Sequence, residues 1–230
     1  MKLPHKPLVW VGATKKELMA LPLEIRAFFG HALDLAQRGD KHDSAKVLHG
    51  FGCAGVLEIV EDDAGGTYRA VYTVKFEEAV FVLHCFQKKS KSGIATPKQE
   101  MDLVRPACIA HNCGSRSYDM KKRIVDGIEF EPSSGNVFAD LGLPDAEKLQ
   151  IKSGLVGEIR NAMRKLELTQ EEAARRMGIV QPKVSGMLRG DFSGLSERKL
   201  MDCLNRLGYD IEIRVKPAEN AIGHLKLALL

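Results

Sequence analysis

The hydrophobic period changes midway along the chain, and that change constrains the fold most. Between Gly55 and Phe86 apolar residues tend to alternate: Tyr68, Ala70, Tyr72 and Val74 fall on one side, Arg69, Val71, Thr73 and Lys75 on the other. A period of two is that of a strand with one buried face. From Leu155 the spacing becomes helical: Leu155, Ile159, Ala162, Met163 and Leu166 share one face of a helix. A sheet-forming half followed by a helical half gives an α+β chain of two domains, which 230 residues can accommodate.

In the first half, Leu8-Val9-Trp10-Val11 reads as a short strand, and Thr14 with Glu17 as the capping box of a helix. A second helix begins near Pro22, carries Ile25, Phe28, Phe29, Ala32, Leu33 and Ala36 on its apolar face, and stops at Gly39. Three strands follow, Gly55–Glu61, Thr67–Phe76 and Ala79–Phe86, joined by Asp62–Gly66 and Glu77-Glu78, as an antiparallel meander. Thr96-Pro97 opens a further helix.

Two features of the meander carry chemistry. Its last strand ends in cations, Lys88, Lys89 and Lys91, with His84 four residues before them. Arg69 lies mid-strand among aromatics, where an unpaired charge is costly. It either serves a ligand or pairs with Glu58 or Glu61 on a neighbouring strand.

Gly50-Phe51-Gly52-x-Ala54-Gly55-Val56-Leu57-Glu58, Thr67-Tyr68-Arg69-Ala70-Val71-Tyr72, Leu83-His84-x-Phe86-x-Lys88-Lys89-Ser90 and Thr96-Pro97-Lys98 together resemble the RelE/HigB-like toxins, and more closely their phage-derived Gp49-like branch. The resemblance covers about residues 6–105. It implies a metal-independent endoribonuclease acting on messenger RNA in the ribosomal A site, where the substrate 2′-OH attacks the adjacent phosphorus. The protein then orients the attack, offsets phosphorane charge and moves protons. The resemblance assigns Arg69 to the scissile phosphate, Lys88 and Lys89 to the RNA backbone with one of them assisting proton transfer, and His84 to proton transfer. For His84 a place in the core is the alternative. Lys91 joins the RNA-binding residues, as does Tyr72, which either stacks on a base or packs in the core. The departure from the pattern is Pro106, which ends the helix where these toxins carry a long basic one.

Residues 106–136 read as a linker. The sequence after it has the requirements of a helix-turn-helix: Ala174 where two helices meet, Gly178 in the turn and Val184 six residues on. Thr169 and Glu172 have capping-box spacing, Gln181-Pro182 opens the next helix, and Ser196 caps the one after. Between Ile159 and Arg206 ten basic and six acidic residues leave a net charge of +4, which suits DNA.

Asn136-Val137-Phe138-Ala139-Asp140-Leu141-Gly142, Leu168-Thr169-Gln170-x-Glu172-Ala173-Ala174, Gln181-Pro182-Lys183-Val184-Ser185, Leu188-Arg189-Gly190 and Gly208-Tyr209-Asp210-Ile211-Glu212-Ile213 resemble XRE-family antitoxins of the HigA kind. The resemblance covers about residues 136–216 and places Gln181, Lys183 and Ser185 in the major groove, with Gln170 and Arg189 on phosphates. Ile211, Ile213 and Val215 alternate, which predicts a strand that pairs across a homodimer. The order toxin then antitoxin matches the host-inhibition-of-growth arrangement. The whole chain thus reads as a toxin–antitoxin fusion: a toxin domain over 1–105, a linker over 106–136, an antitoxin domain over 137–216 and a tail over 217–230. The antitoxin half would repress its own operon through a palindromic operator. The alternative is a DNA-binding repressor with an inactive toxin-like domain.

No apolar run reaches the roughly 20 residues of a membrane span, the N-terminus lacks a signal-peptide core, and the five scattered cysteines suit reduced thiols. A cytoplasmic protein follows. Cys108, His111 and Cys113 form a C-x-x-H-x-C group without a second pair nearby, so neither metal nor cofactor is expected.

Overall fold

The computed structural model describes residues 5–49, 55–73, 79–88, 122–125, 127–218 and 223–228. The Thr96 helix, Lys89, Lys91 and the Cys108/His111/Cys113 group lie outside these residues. The chain divides into two compact units, with the boundary between Leu143 and Pro144.

The first unit is a mixed sheet with helices. Its strands are β1 (Leu8–Val11), β2 (Ala45–Val47), β3 (Val56–Asp63), β4 (Gly66–Thr73), β5 (Val80–Lys88), β6 (Arg123–Val125) and β7 (Ile128–Pro132). Their order across the sheet is β2-β3-β4-β5-β1-β7-β6. The expected meander is β3-β4-β5, antiparallel throughout. β1 pairs in parallel with β5, joining Leu8 to Val80 and Trp10 to Val82. Helices α1 (Thr14–Met19) and α2 (Leu23–Gln37) follow β1. The capping box expected at Thr14 does not form: Ala13 holds the cap position, and the Thr14 hydroxyl accepts from the Val11 amide instead.

The sheet buries both faces. Leu8, Trp10, Tyr72 and Val82 share the face under α2, since Tyr72 and Trp10 both stand opposite Val82. Val9, Val11, Val56, Val71, Phe81, Leu83 and Phe130 form a second apolar cluster on the other face.

Residues 123–125 and 128–132, read from sequence as linker, are strands of this sheet. β7 lies antiparallel on the free side of β1, setting Val11 opposite Phe130 and Trp10 opposite Glu131. The Gly12 amide donates to the Glu129 carbonyl (2.7 Å) and the Ser133 amide to that of Leu8 (2.8 Å). Phe130 then packs edge-on against Phe81. The physical reason is that β1 between β5 and an empty side would leave a row of buried backbone groups unpaired.

The short helix α3 (Val137–Asp140) also folds in this unit, although the sequence reading placed it in the second domain. Asn136 caps it, accepting from the amides of Phe138 (3.0 Å) and Ala139 (3.3 Å). α3 packs on α2 at a notch made by Gly30, where a Cβ would lie 2.9 Å from the Phe138 ring. The Trp10 indole N–H donates to Asp140 Oδ2 (3.0 Å) and Arg26 Nη1 to the Leu141 carbonyl (2.9 Å).

The second unit is helical: α4 (Ala146–Lys165), α5 (Gln170–Met177), α6 (Gln181–Leu188) and α7 (Glu197–Arg206). Its core holds Leu155, Ile159, Ala162, Ala173, Met177, Val184, Met187, Leu200 and Leu204. Leu166 is exposed rather than on the apolar face. The strand expected over Ile211–Val215 is not formed in the single chain, where Ile213 is 73% and Val215 93% exposed.

Candidate nucleic-acid sites

The candidate RNA site rests on β4 and β5. Opposite residues in a ladder point to the same face. Arg69 stands opposite Val60 and Phe86, Glu58 opposite Val71, and Val71 opposite His84. Arg69, Glu58, His84 and Phe86 therefore share one face. A bulge produces this. Tyr72 pairs with Val82 but Val71 pairs with His84, so Leu83 is the extra residue. Without it the alternation from Phe81 would put Cys85, not His84, on the Arg69 face. Bulges re-aim side chains in this way. Cys85 instead faces the other side; its burial, and then the nearby Glu17 charge, raise its thiol pKa.

Arg69 is 5% exposed and Glu58 7%, and Arg69 Nη1 donates to Glu58 Oε1 at 2.8 Å. Of the two carboxylates the sequence offered, Glu58 takes the guanidinium. The protein thus holds Arg69 in a buried ion pair rather than at the surface. His84 stacks on Phe86 with ring centroids 5.3 Å apart, and its Nδ1 lies 3.7 Å from Glu17 Oε2 of α1. Tyr72 is 0% exposed on the opposite face, beneath α2. Base stacking by Tyr72 is corrected accordingly, because a fully enclosed ring has no face for a base. Lys88 is the last residue of β5, opposite Thr67. Among the described residues no group of three His, Cys, Asp or Glu is placed to hold a metal ion, and no helix is long and apolar enough to cross a membrane.

The candidate DNA site is built by α5, its turn and α6. Thr169 caps α5 with a complete capping box: its hydroxyl accepts from the Glu172 amide (3.2 Å), and Glu172 Oε2 accepts from the Thr169 amide (2.9 Å). The Thr169 amide and hydroxyl, both donating to that carboxylate, hold it below its usual range. Gly178 follows α5 at φ +67°, a left-handed conformation, with Arg206 packed so close that a Cβ would meet its guanidinium. Pro182 lies in the first turn of α6.

Gln170 and Gln181, the first residues of α5 and α6, meet: Gln181 Nε2 donates to Gln170 Oε1 at 2.9 Å, and both are exposed. Arg189 is exposed at the end of α6 and Ser185 half-buried. Lys183 does not extend freely: its Nζ donates to the Ser193 carbonyl at 2.9 Å, beside Asp191 and Gly194. The structure therefore brings Gln170 and Gln181 together and draws Lys183 toward the loop after α6.

Residues 16–107 match the family described as phage derived protein Gp49-like, and residues 137–216 match a helix-turn-helix domain family. A solved structure described as an XRE-family transcriptional regulator is 37% identical, covering 38% of this chain and all of its own, with a TM-score of 0.34. The chain joins a Gp49-like unit to a helix-turn-helix unit. A search of curated proteins gives no match. The helix-turn-helix match starts at residue 137, yet residues 137–143 fold with the Gp49-like unit.

Sequence reasoning missed Trp10, Gly30 and Asp140, which seat α3. A signal for the preceding hairpin was present. Asp126-Gly127 between Arg123-Ile124-Val125 and Ile128-Glu129-Phe130 is a two-residue hairpin turn sequence.

Proposed function

We propose that the chain is a self-neutralised toxin–antitoxin fusion. Its Gp49-like unit is a metal-independent endoribonuclease for messenger RNA in the ribosomal A site, held silent in the intact chain. Its helix-turn-helix unit binds a palindromic operator as a homodimer and represses the chain's own operon. The observation that carries the reading is the seating of residues 137–143. This first piece of the helix-turn-helix family match closes over α2 and Trp10 of the Gp49-like unit. A regulator segment built into the toxin-like fold supports neutralisation within one chain. Fusion also fixes the two parts at one to one and at an effective concentration of about millimolar.

The burial of the Arg69–Glu58 pair agrees with silence of the intact chain, and it equally favours a second reading in which the Gp49-like unit is an inactive structural module. The two differ in whether residues 1–136, which keep β7 on β1 but lack the helix-turn-helix match, cut RNA.

A gel-shift series tests the DNA half. The full chain is expected to bind a palindromic site as a dimer, with half-sites about one DNA turn apart, and more tightly than a half-site. Gln181→Ala is expected to relax the preference at one base pair by about 1–3 kcal/mol. Arg189→Ala weakens binding to all sequences and flattens its salt dependence. A monomer at micromolar concentration that binds half-sites equally well contradicts the homodimer.

A further inference from the structure

The sheet face that carries Arg69 withholds its cation and leaves its rings in reach. Arg69 and Glu58 are each under a tenth exposed and hold each other at 2.8 Å. The residues opposite Arg69, Val60 and Phe86, are only half-buried, and so is His84. The His84 and Phe86 rings lie at 22° with centroids 5.3 Å apart, an offset stack. The polar edge of His84 is turned to α1, where Nδ1 lies 3.7 Å from Glu17 Oε2. What the pair offers is therefore chiefly ring area.

β5 then runs into residues 88–98, which hold four lysines and no acid. Ring area beside a run of cations fits single-stranded RNA. Unpaired bases stack on aromatic side chains, and phosphates draw lysine. A duplex keeps its base faces stacked inside, and an apolar peptide gains nothing from the cations. Arg69 is the group on this face best made to grip a phosphate, yet it is committed to a buried carboxylate. Binding a strand and gripping its phosphate are thus separate events here.

We propose that the intact chain binds single-stranded RNA without cutting it. One base extends the His84–Phe86 stack, while the ion pair with Glu58 keeps Arg69 from the phosphate. Silence then comes from withholding a cation rather than from closing the face. The proposal rests on the reading of this face as an RNA site and adds to it a stacking residue and a bound, uncut state.

The test titrates the full chain into a short fluorescent single-stranded RNA and into copies with an abasic sugar at each position in turn. One abasic position is expected to weaken binding about tenfold, the usual worth of a base–aromatic stack. In Phe86→Leu the unmodified RNA binds about tenfold more weakly, and the abasic sugar costs nothing more. Phe86→Trp, which keeps a stacking ring, keeps the cost. In the wild-type chain, RNA carrying 5-iodouridine at the sensitive position is expected to crosslink to Phe86 or His84 on illumination, and unmodified RNA is recovered at full length. Binding with no sensitive position, an equal cost in Phe86→Leu, or crosslinks only to other residues overturns the stack and leaves the RNA reading standing. RNA recovered in pieces overturns the withholding of Arg69. No RNA bound at all overturns an open face in the intact chain, and the ribonuclease reading is then decided by the freed fragment alone.

Discussion

Arg69→Ala is expected to destabilise the Gp49-like unit by about 3–5 kcal/mol, because it leaves Glu58 buried without its partner. The reason is geometric: Arg69 and Glu58 lie diagonally across β3 and β4, both under a tenth exposed, at 2.8 Å. Urea unfolding followed through Trp10, the only tryptophan in the chain and fully buried, reports this unit directly. Glu58→Gln should also destabilise, by weakening the charge that holds the guanidinium. The paired change Arg69→Met with Glu58→Leu should come back to within about 1 kcal/mol of the wild type or exceed it, since apolar replacement of both partners removes the desolvation cost. An Arg69→Ala protein within about 0.5 kcal/mol of wild type, the range of a surface substitution, would show that the pair does not carry the fold.

Phe138→Ala is the second large effect. The ring is fully buried against the Gly30 notch, so its loss should cost about 3–5 kcal/mol. Asp140→Ala leaves the Trp10 indole N–H without its acceptor, at about 1–3 kcal/mol. Gly30→Ala attacks the same contact from the other side, pushing a methyl into the ring. If α3 and the β7 edge act together, Phe138→Ala shifts Trp10 emission to the red at urea concentrations where the helix-turn-helix unit is still folded. A variant whose Trp10 emission and unfolding midpoint match the wild type would mean that residues 137–143 merely rest on the sheet unit.

The legible parts of the fold were those set by local pattern. β3, β4 and β5 alternate between clear turn signals, and α5 carries its capping box in its own sequence. The pairing of β1 with β5 on one side and β7 on the other joins residues more than 70 positions apart, and no local period encodes that. The bulge at Leu83 was equally hidden, since both registers leave apolar residues on both faces of a doubly buried strand. It decides which of His84 and Cys85 faces Arg69. For the sites, the DNA half was more legible than the RNA half. Gln170 and Gln181 are surface residues at helix starts, positions that spacing fixes. Arg69 could pair or bind from its sequence context alone, and only the register shows Glu58 within reach.

A chain that holds a ribonuclease silent by carrying its own regulator should cut messenger RNA only when freed from that regulator. Mapping the 5′ ends of messenger RNA after brief induction, in growing bacteria, of residues 1–136, which keep β7 on β1, or of the whole chain decides this. New ends are expected inside translated codons with the fragment, none with the whole chain, and none with the fragment bearing Lys88→Ala and Lys89→Ala. Equal cutting by fragment and whole chain, or no cutting by a fragment that circular dichroism shows to be folded, would contradict it.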